Sequence, residues 1–228
     1  MKHLAKYLAA VMLLAVGCGE DEFTPTDRGT DFYPLQVGSI WTYAVEETVY
    51  SEVAAPQNRS YQLRLTVSDS IKNAAGTYTY VVLRTKKNEG ESIWTSLDTW
   101  SVRKDDREVI VTEGNTAFKK LMFPVREQLT WNGNEYNTLG EDEYVFHTVD
   151  LTEPINGMTF DHTIRVEQEN NGDFIVFLDE RDEVYAKGVG LVKRSLRQLN
   201  YCSTEDCIGQ QKIKSGRVYA QVLLSYEK

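Results

Sequence analysis

Apolar and polar residues alternate with a period of two along most of this chain. The clearest stretch is Tyr61, Leu63, Leu65 and Val67, interleaved with Gln62, Arg64, Thr66 and Ser68. Such alternation places the apolar set on one face of a half-buried strand. Trp41, Tyr43 and Val45 repeat the pattern early; Val218, Ala220, Val222, Leu224 and Tyr226 repeat it at the end. Between them, Tyr78 to Leu83, Ile93 to Val102, Glu108 to Thr112, Ala117 to Phe123 and Tyr144 to Val149 are rich in β-branched and aromatic residues. Those residue types fit a pleated surface. The spacing puts Trp94, Trp100 and Val102 on one strand face.

Turn signals separate these runs, among them Asn73 to Gly76, Asn88-Glu89-Gly90 and Glu113-Gly114-Asn115. Thr163 to Glu169 and Asp173 to Leu178 flank Asn170-Asn171-Gly172, which predicts a hairpin turning at that tripeptide. Gly188 and Gly190, inside the strand-like Glu183 to Leu199, predict a bulge or a close backbone approach. After residue 17 no window of a dozen residues holds a helical period. Met122 to Leu129 is the one short helix candidate, limited by Pro124. Ten or more strands at this spacing predict an all-β fold, an antiparallel meander curled into an open or closed barrel-like sheet. No composition break interrupts residues 32–228, which read as a single β domain.

The first seventeen residues have a different pattern. Lys2, His3 and Lys6 form a basic start, Tyr7 to Val16 is almost unbroken apolar sequence, and small residues lead to Cys18. This is the layout of a secretory signal, residues 1–17. Its apolar run is half of what a bilayer-spanning helix needs. A cysteine just after the cleavage point resembles a bacterial lipobox, although Ala15 stands where that family usually has leucine. The resemblance implies acylation of Cys18 and an N-terminal lipid anchor. The alternative is an ordinary secretory signal cut near the same place. Residues 18–31 are polar and without period, and read as an acidic, flexible tether. Glu20, Asp21 and Glu22 resemble the export signal of Bacteroidota-type lipoproteins, which implies an outer-membrane location, on the periplasmic face or the cell surface. Phe32-Tyr33-Pro34-Leu35 with Trp41-Thr42-Tyr43, and Tyr185 to Lys193, resemble elements of exported bacterial β proteins of uncharacterised function. That resemblance implies no activity.

Charge narrows the partners. The chain has 25 Lys+Arg against 34 Asp+Glu, and the signal holds two of the lysines and no acid, so −9 becomes −11 after its removal. An acidic chain without a compact basic patch in its sequence repels nucleic acid. With Cys18 lipidated, Cys202 and Cys207 remain, an even number that predicts one structural disulfide. Their four-residue gap fits neither a zinc knuckle nor a two-residue redox motif.

Candidate chemistry is sparse. His147 shares a strand face with Val145 and Val149, and reads as a satisfied sheet histidine. His162 has Asp161 beside it as a pairing or metal-binding partner, but nothing else at ligand spacing, so no metal site is assigned. No nucleophile or metalloprotease motif is present, and no cofactor is implied. The acidic runs Glu141-Asp142-Glu143 and Asp179-Glu180-Arg181-Asp182-Glu183 read as solvated turns or strand edges. The functional expectation is therefore a non-enzymatic, lipid-anchored envelope protein, with no catalytic residues. Its sheet would take an apolar ligand, a glycan or a partner protein. The alternative is a glycan-acting hydrolase using a carboxylate pair, distinguished by a cleft with two carboxylates about 5–10 Å apart.

Overall fold

The computed structural model describes residues 27–74 and 76–228. A 3₁₀ turn at Thr30–Phe32 precedes twelve strands: β1 (Ile40–Ser51), β2 (Ala54–Lys72), β3 (Tyr78–Asn88), β4 (Thr95–Lys104), β5 (Glu108–Glu113) and β6 (Thr116–Met122), then β7 (Thr130–Asn132), β8 (Glu143–Ile155), β9 (Met158–Gly172), β10 (Phe177–Ala186), β11 (Gly190–Tyr201) and β12 (Ile213–Glu227). All lie in one antiparallel sheet, ordered β6-β5-β4-β3-β2-β1-β12-β11-β10-β9-β8-β7. The order is cyclic in sequence: each strand pairs with its chain neighbours, and β12 returns to pair with β1.

The sheet curls until its two edges meet. Lys119 N–H donates to Gly133 O at 2.8 Å, Trp131 Nε1 to Lys119 O at 2.9 Å, and Asn137 Nδ2 to Ala117 O at 2.8 Å. These bonds join β6 to β7 and to the turn after β7 without a regular ladder, so the barrel is nearly closed along one irregular seam.

Eight strands already make a barrel that side chains just fill, so twelve need bulk or flattening. The aromatic residues supply the bulk. Trp41, Tyr43, Phe146, Tyr144 and Tyr185 are buried in one cluster with Val45, Leu63, Val67, Val166 and Leu223. One end is plugged. Phe32 is buried there, Gly188 N–H donates to Asp31 O at 2.9 Å, and Lys104 Nζ donates to Tyr33 O at 2.8 Å. The β8–β9 tip reaches the barrel as well, burying Ile155 and anchoring Asn156 Nδ2 to Leu223 O at 3.1 Å. Residues 27–31, placed by the sequence in the tether, lie against this same end. Arg28 Nε donates to Asp106 O at 3.0 Å, and Asp27 pairs with Lys187.

Gly188 and Gly190 both take positive φ, 72° and 98°, in the β10–β11 turn. Gly190 lies beside Pro34 and the Trp41 indole, whose Nε1 donates to Val189 O at 2.7 Å. Met122 to Leu129 is not a helix but an irregular connection to β7. Pro124 cannot donate into a helical ladder, and Val125 N–H goes instead to Arg28 O at 3.0 Å.

The Asn170-Asn171-Gly172 tripeptide is not the turn. It lies in the ladder, with Asn171 opposite Asp179. The chain reverses at 173–176, where the Asp173 carboxylate accepts from the N–H groups of Ile175, Val176 and Phe177 at 2.8, 2.8 and 3.1 Å. Three charge-assisted bonds outweigh the intrinsic turn preference of Asn-Gly. Trp94 and Trp100 also separate. Leu97 is an extra residue opposite Arg84 and Thr85, and this bulge reverses the alternation. Trp100 faces inward beneath Arg84, whereas Trp94 precedes β4 and stacks on Arg64 at 3.9 Å.

Candidate functional site

The barrel interior changes character along its axis. Beside the plug it is apolar. Halfway along, a layer of charge is buried. Lys120 enters it because β6 bulges there: Val109 pairs with Leu121 and Ile110 with Lys119, leaving Lys120 as the extra residue. Its Nζ lies 3.1 Å from Glu113 Oε1 and 3.2 Å from Glu183 Oε1. Glu183 is the cross-strand neighbour of Arg194, whose Nε is 3.3 Å from the same Oε1. Arg194 Nη1 also reaches Glu113 at 3.6 Å, and Tyr185 donates its hydroxyl to Glu183 Oε2 at 2.5 Å. Two acids and two bases thus neutralise one another in a place water barely reaches, since Glu183 is 1% and Lys120 4% exposed.

The electrostatics come from that pairing. Burial by itself would raise the Glu113 pKa, but Lys120 and Arg194 outweigh it and hold the carboxyl down to about 2. Glu183 is likewise held below its usual range: burial opposes this, while Lys120, Arg194 and the Tyr185 hydroxyl prevail. Burial would lower Lys120, but the two glutamates raise it above its ordinary value. Tyr185 is raised, first by burial and then by Glu183. Both carboxylates therefore stay ionised.

The chamber beside this layer, lined by Trp41, Tyr43, Leu65, Val82, Trp100 and Tyr185 among others, has a volume of about 50 Å³. Small-molecule sites run to roughly 300–1,000 Å³. It has room for a few waters and no more. The aromatic residues fill this interior.

Beyond the charge layer the same inner face opens into a mouth. From Tyr43 and Val45 it continues to Glu47, and from Leu63 to Tyr61 and Arg59. On β3 it runs from Val82 to Arg84 and Lys86, and on β12 from Leu223 to Tyr219 and Arg217. The concavity measures about 520 Å³. Arg217 Nε contacts Glu47 at 2.7 Å, and Arg59 Nη1 lies 3.7 Å from the same carboxylate. Arg84 is clamped bidentately by Asp98 at 2.9 and 2.7 Å and lies 3.9 Å above the Trp100 ring. Glu47 stands seven residues along β1 from Ile40, so the mouth is about 20–25 Å from the plugged end.

Of the residues singled out from the sequence, the signal, Cys18, Glu20, Asp21 and Glu22 lie outside the described residues. Cys202 and Cys207 are joined as a disulfide, with Cα atoms 5.8 Å apart. The bridge spans a sequence separation of 5 and sits in the β11–β12 connection, far from the charge layer. Reduction should leave the fold intact and lower its stability by about 2 kcal/mol, because so short a ring restricts the unfolded chain little. Thermal melts with and without reductant check this; loss of the folded baseline on reduction would contradict it.

The histidines depart from their expected settings. His147 is the extra residue of a bulge opposite Val166 and Arg165, so it turns outward, 53% exposed and 3.9 Å from Glu167. Val149, beyond the bulge, pairs with Ile164 and packs on the core. His162 pairs with Asp150, Nδ1 to Oδ1 at 2.5 Å, rather than with Asp161. The two acidic runs are not simply solvated. Arg181 ties them together, bound bidentately to Asp142 at 2.9 and 3.0 Å and to Asp179 at 2.9 Å. Glu183, read from the sequence as part of a solvated acidic run, is instead buried at 1% exposure, and the charges that meet it, Glu113, Lys120 and Arg194, were not singled out. The one local sign was a charged residue on the apolar parity of a strand, Glu183 two before Tyr185.

No family model and no curated protein matches this chain. Among solved structures it is similar to a protein from Bacteroides fragilis described as exported and of YmcC-like fold, at 13% identity and a TM-score of 0.49. That match covers 86% of this chain and 99% of the other. It is also similar to a protein from Parabacteroides distasonis described as a lipoprotein, at 11% identity and a TM-score of 0.42, covering 86% and 98%. Neither likeness assigns this chain to a family or an activity.

Proposed function

We propose that this chain is a lipid-anchored protein of the bacterial outer membrane whose barrel is a non-catalytic glycan-binding domain. The observation that carries the binding half is the contrast between the two cavities. The inner chamber of about 50 Å³ excludes an apolar ligand of useful size, while the mouth of about 520 Å³ is lined by polar and planar side chains suited to sugar hydroxyls. The anchor half rests on the lipobox-like sequence ending in Cys18 and the acidic residues after it. The described chain begins at the plugged end, so an anchor at Cys18 points the mouth away from the membrane.

A panel of soluble oligosaccharides titrated into the mature protein tests the binding half. The expected result is saturable binding that Tyr61→Ala weakens about tenfold, with every bound sugar recovered uncleaved. Absence of binding across the panel, or turnover of any member, would overturn the reading. Replacing Glu20, Asp21 and Glu22 with alanine tests the orientation in the cell. The protein should pass from protease-accessible to protease-protected on intact cells. Unchanged accessibility would remove these residues as an export signal.

A further inference from the structure

Resting on the glycan-binding reading, we infer that the mouth selects saccharides bearing carboxylate groups. The chain as a whole is acidic, at −9. The wall of the mouth reverses that balance, with Arg59, Arg84, Lys86 and Arg217 facing Glu47 and Glu89. The acids are not equally available. The Glu47 carboxylate is only 9% exposed and is engaged by Arg217 and Arg59, so it fixes those two guanidinium groups more than it offers charge to a ligand. Asp98, opposite Arg84 on the same inner face, is a third acid here, and its clamp fixes the Arg84 guanidinium in the same way.

Two of the arginines are also held flat. Arg84 lies over Trp100 at 3.9 Å, and Arg217 over Tyr219 at 4.6 Å. Stacked and clamped guanidinium groups have little left to lose on binding, and their planar donors match a carboxylate. Lys86 sits two residues beyond Arg84 on the same face of β3 and has no ion-pair partner among the described residues. It is the cation most open to a new anion. Asn88, opposite Tyr61 on the same inner face, adds a neutral donor and acceptor to the concavity. Hydroxyls beside carboxylates, on one compact ligand, describe an acidic sugar.

The test is calorimetric titration of the mature protein, extracted in a neutral detergent, with oligogalacturonate and with a neutral galactan oligosaccharide of equal length. Oligoglutamate of matched charge is the third probe. The uronate should bind at least about tenfold tighter than the neutral sugar, and its affinity should fall between low and physiological salt. Lys86→Glu should weaken uronate binding about tenfold and the neutral sugar clearly less, so that the preference for uronate shrinks. Lys86→Met, which keeps the chain length and removes only the charge, guards against a folding defect and should give a smaller loss in the same direction. Equal affinity for uronate and neutral sugar would overturn the carboxylate selectivity and leave the binding reading standing. Oligoglutamate binding as tightly as uronate would reassign the site to an acidic peptide and overturn the saccharide class. No binding of any probe would overturn both.

Discussion

Glu183→Ala should destabilise the barrel by about 3–5 kcal/mol, the cost of leaving a buried charge without its partner. Glu183 Oε1 is within 3.3 Å of both Lys120 and Arg194, so its removal strands an ammonium and weakens the hold on a guanidinium at once. Only Glu113, at 3.1 Å from Lys120 and 3.6 Å from Arg194, would remain for two cations. The double variant Glu183→Leu with Arg194→Leu should recover much of the loss, because it removes a charge of each sign and fills the space with apolar volume. Urea denaturation at pH 7 checks both. A loss below about 1 kcal/mol for Glu183→Ala would mean that water reaches this layer and screens it.

The pH dependence has a definite sign. Glu113 and Glu183 have folded pKa values below those of the unfolded chain, so they stabilise the fold above the unfolded carboxylate pKa. That contribution is complete above about pH 5 and is withdrawn as pH falls toward the folded value, about 2 for Glu113. Lys120 acts at the other end of the scale. Its folded pKa is raised, so its contribution is complete at neutral pH and is lost only as pH rises through that raised value. Melting temperature should therefore fall on acidification below pH 5. A variant carrying Glu113→Gln and Glu183→Gln should start lower and show a flatter acid limb.

Cys18→Ser should abolish membrane attachment. On the proposed anchor, acylation of this thiol supplies all of the affinity for the bilayer, at about 0.8 kcal/mol for each buried CH₂ group. Among the described residues no helix is long and apolar enough to cross a membrane. The variant should either accumulate with its signal uncut or appear in the soluble fraction, and the mature wild type should carry the mass of its acyl chains at residue 18. A wild type recovered soluble and unlipidated would end the lipoprotein reading, leaving the barrel and its mouth unaffected.

The sequence by itself determined the architecture, because what builds a strand is local. Alternation at Trp41-Tyr43-Val45 and Tyr61-Leu63-Leu65-Val67 fixes an inner face, and the matching strands β1 and β2 bury those residues as a set. Many such strands in series, joined by short turns, leave little choice but a curled antiparallel meander. Cys202 and Cys207 were legible for the same reason, as two thiols five positions apart that meet without help from the rest of the fold.

Only the tertiary structure decided where the charge lies. Lys120 and Glu183 are 63 residues apart in sequence and meet because the barrel brings β6 near β10 across its interior. Neither residue carries a local sign of its partner. Bulges decided the rest. The extra residues Leu97, Lys120 and His147 each reverse the inward–outward parity of their strand, which sends Trp94 outward, Lys120 inward and His147 into solvent. A bulge arises from how two strands fit each other, so one strand's own alternation does not contain it. The mouth is the same kind of fact: Arg59, Arg84 and Arg217 sit on different strands, and each reads alone as an ordinary solvated charge until the pairing and curl of β3, β2, β1 and β12 turn all three toward one space.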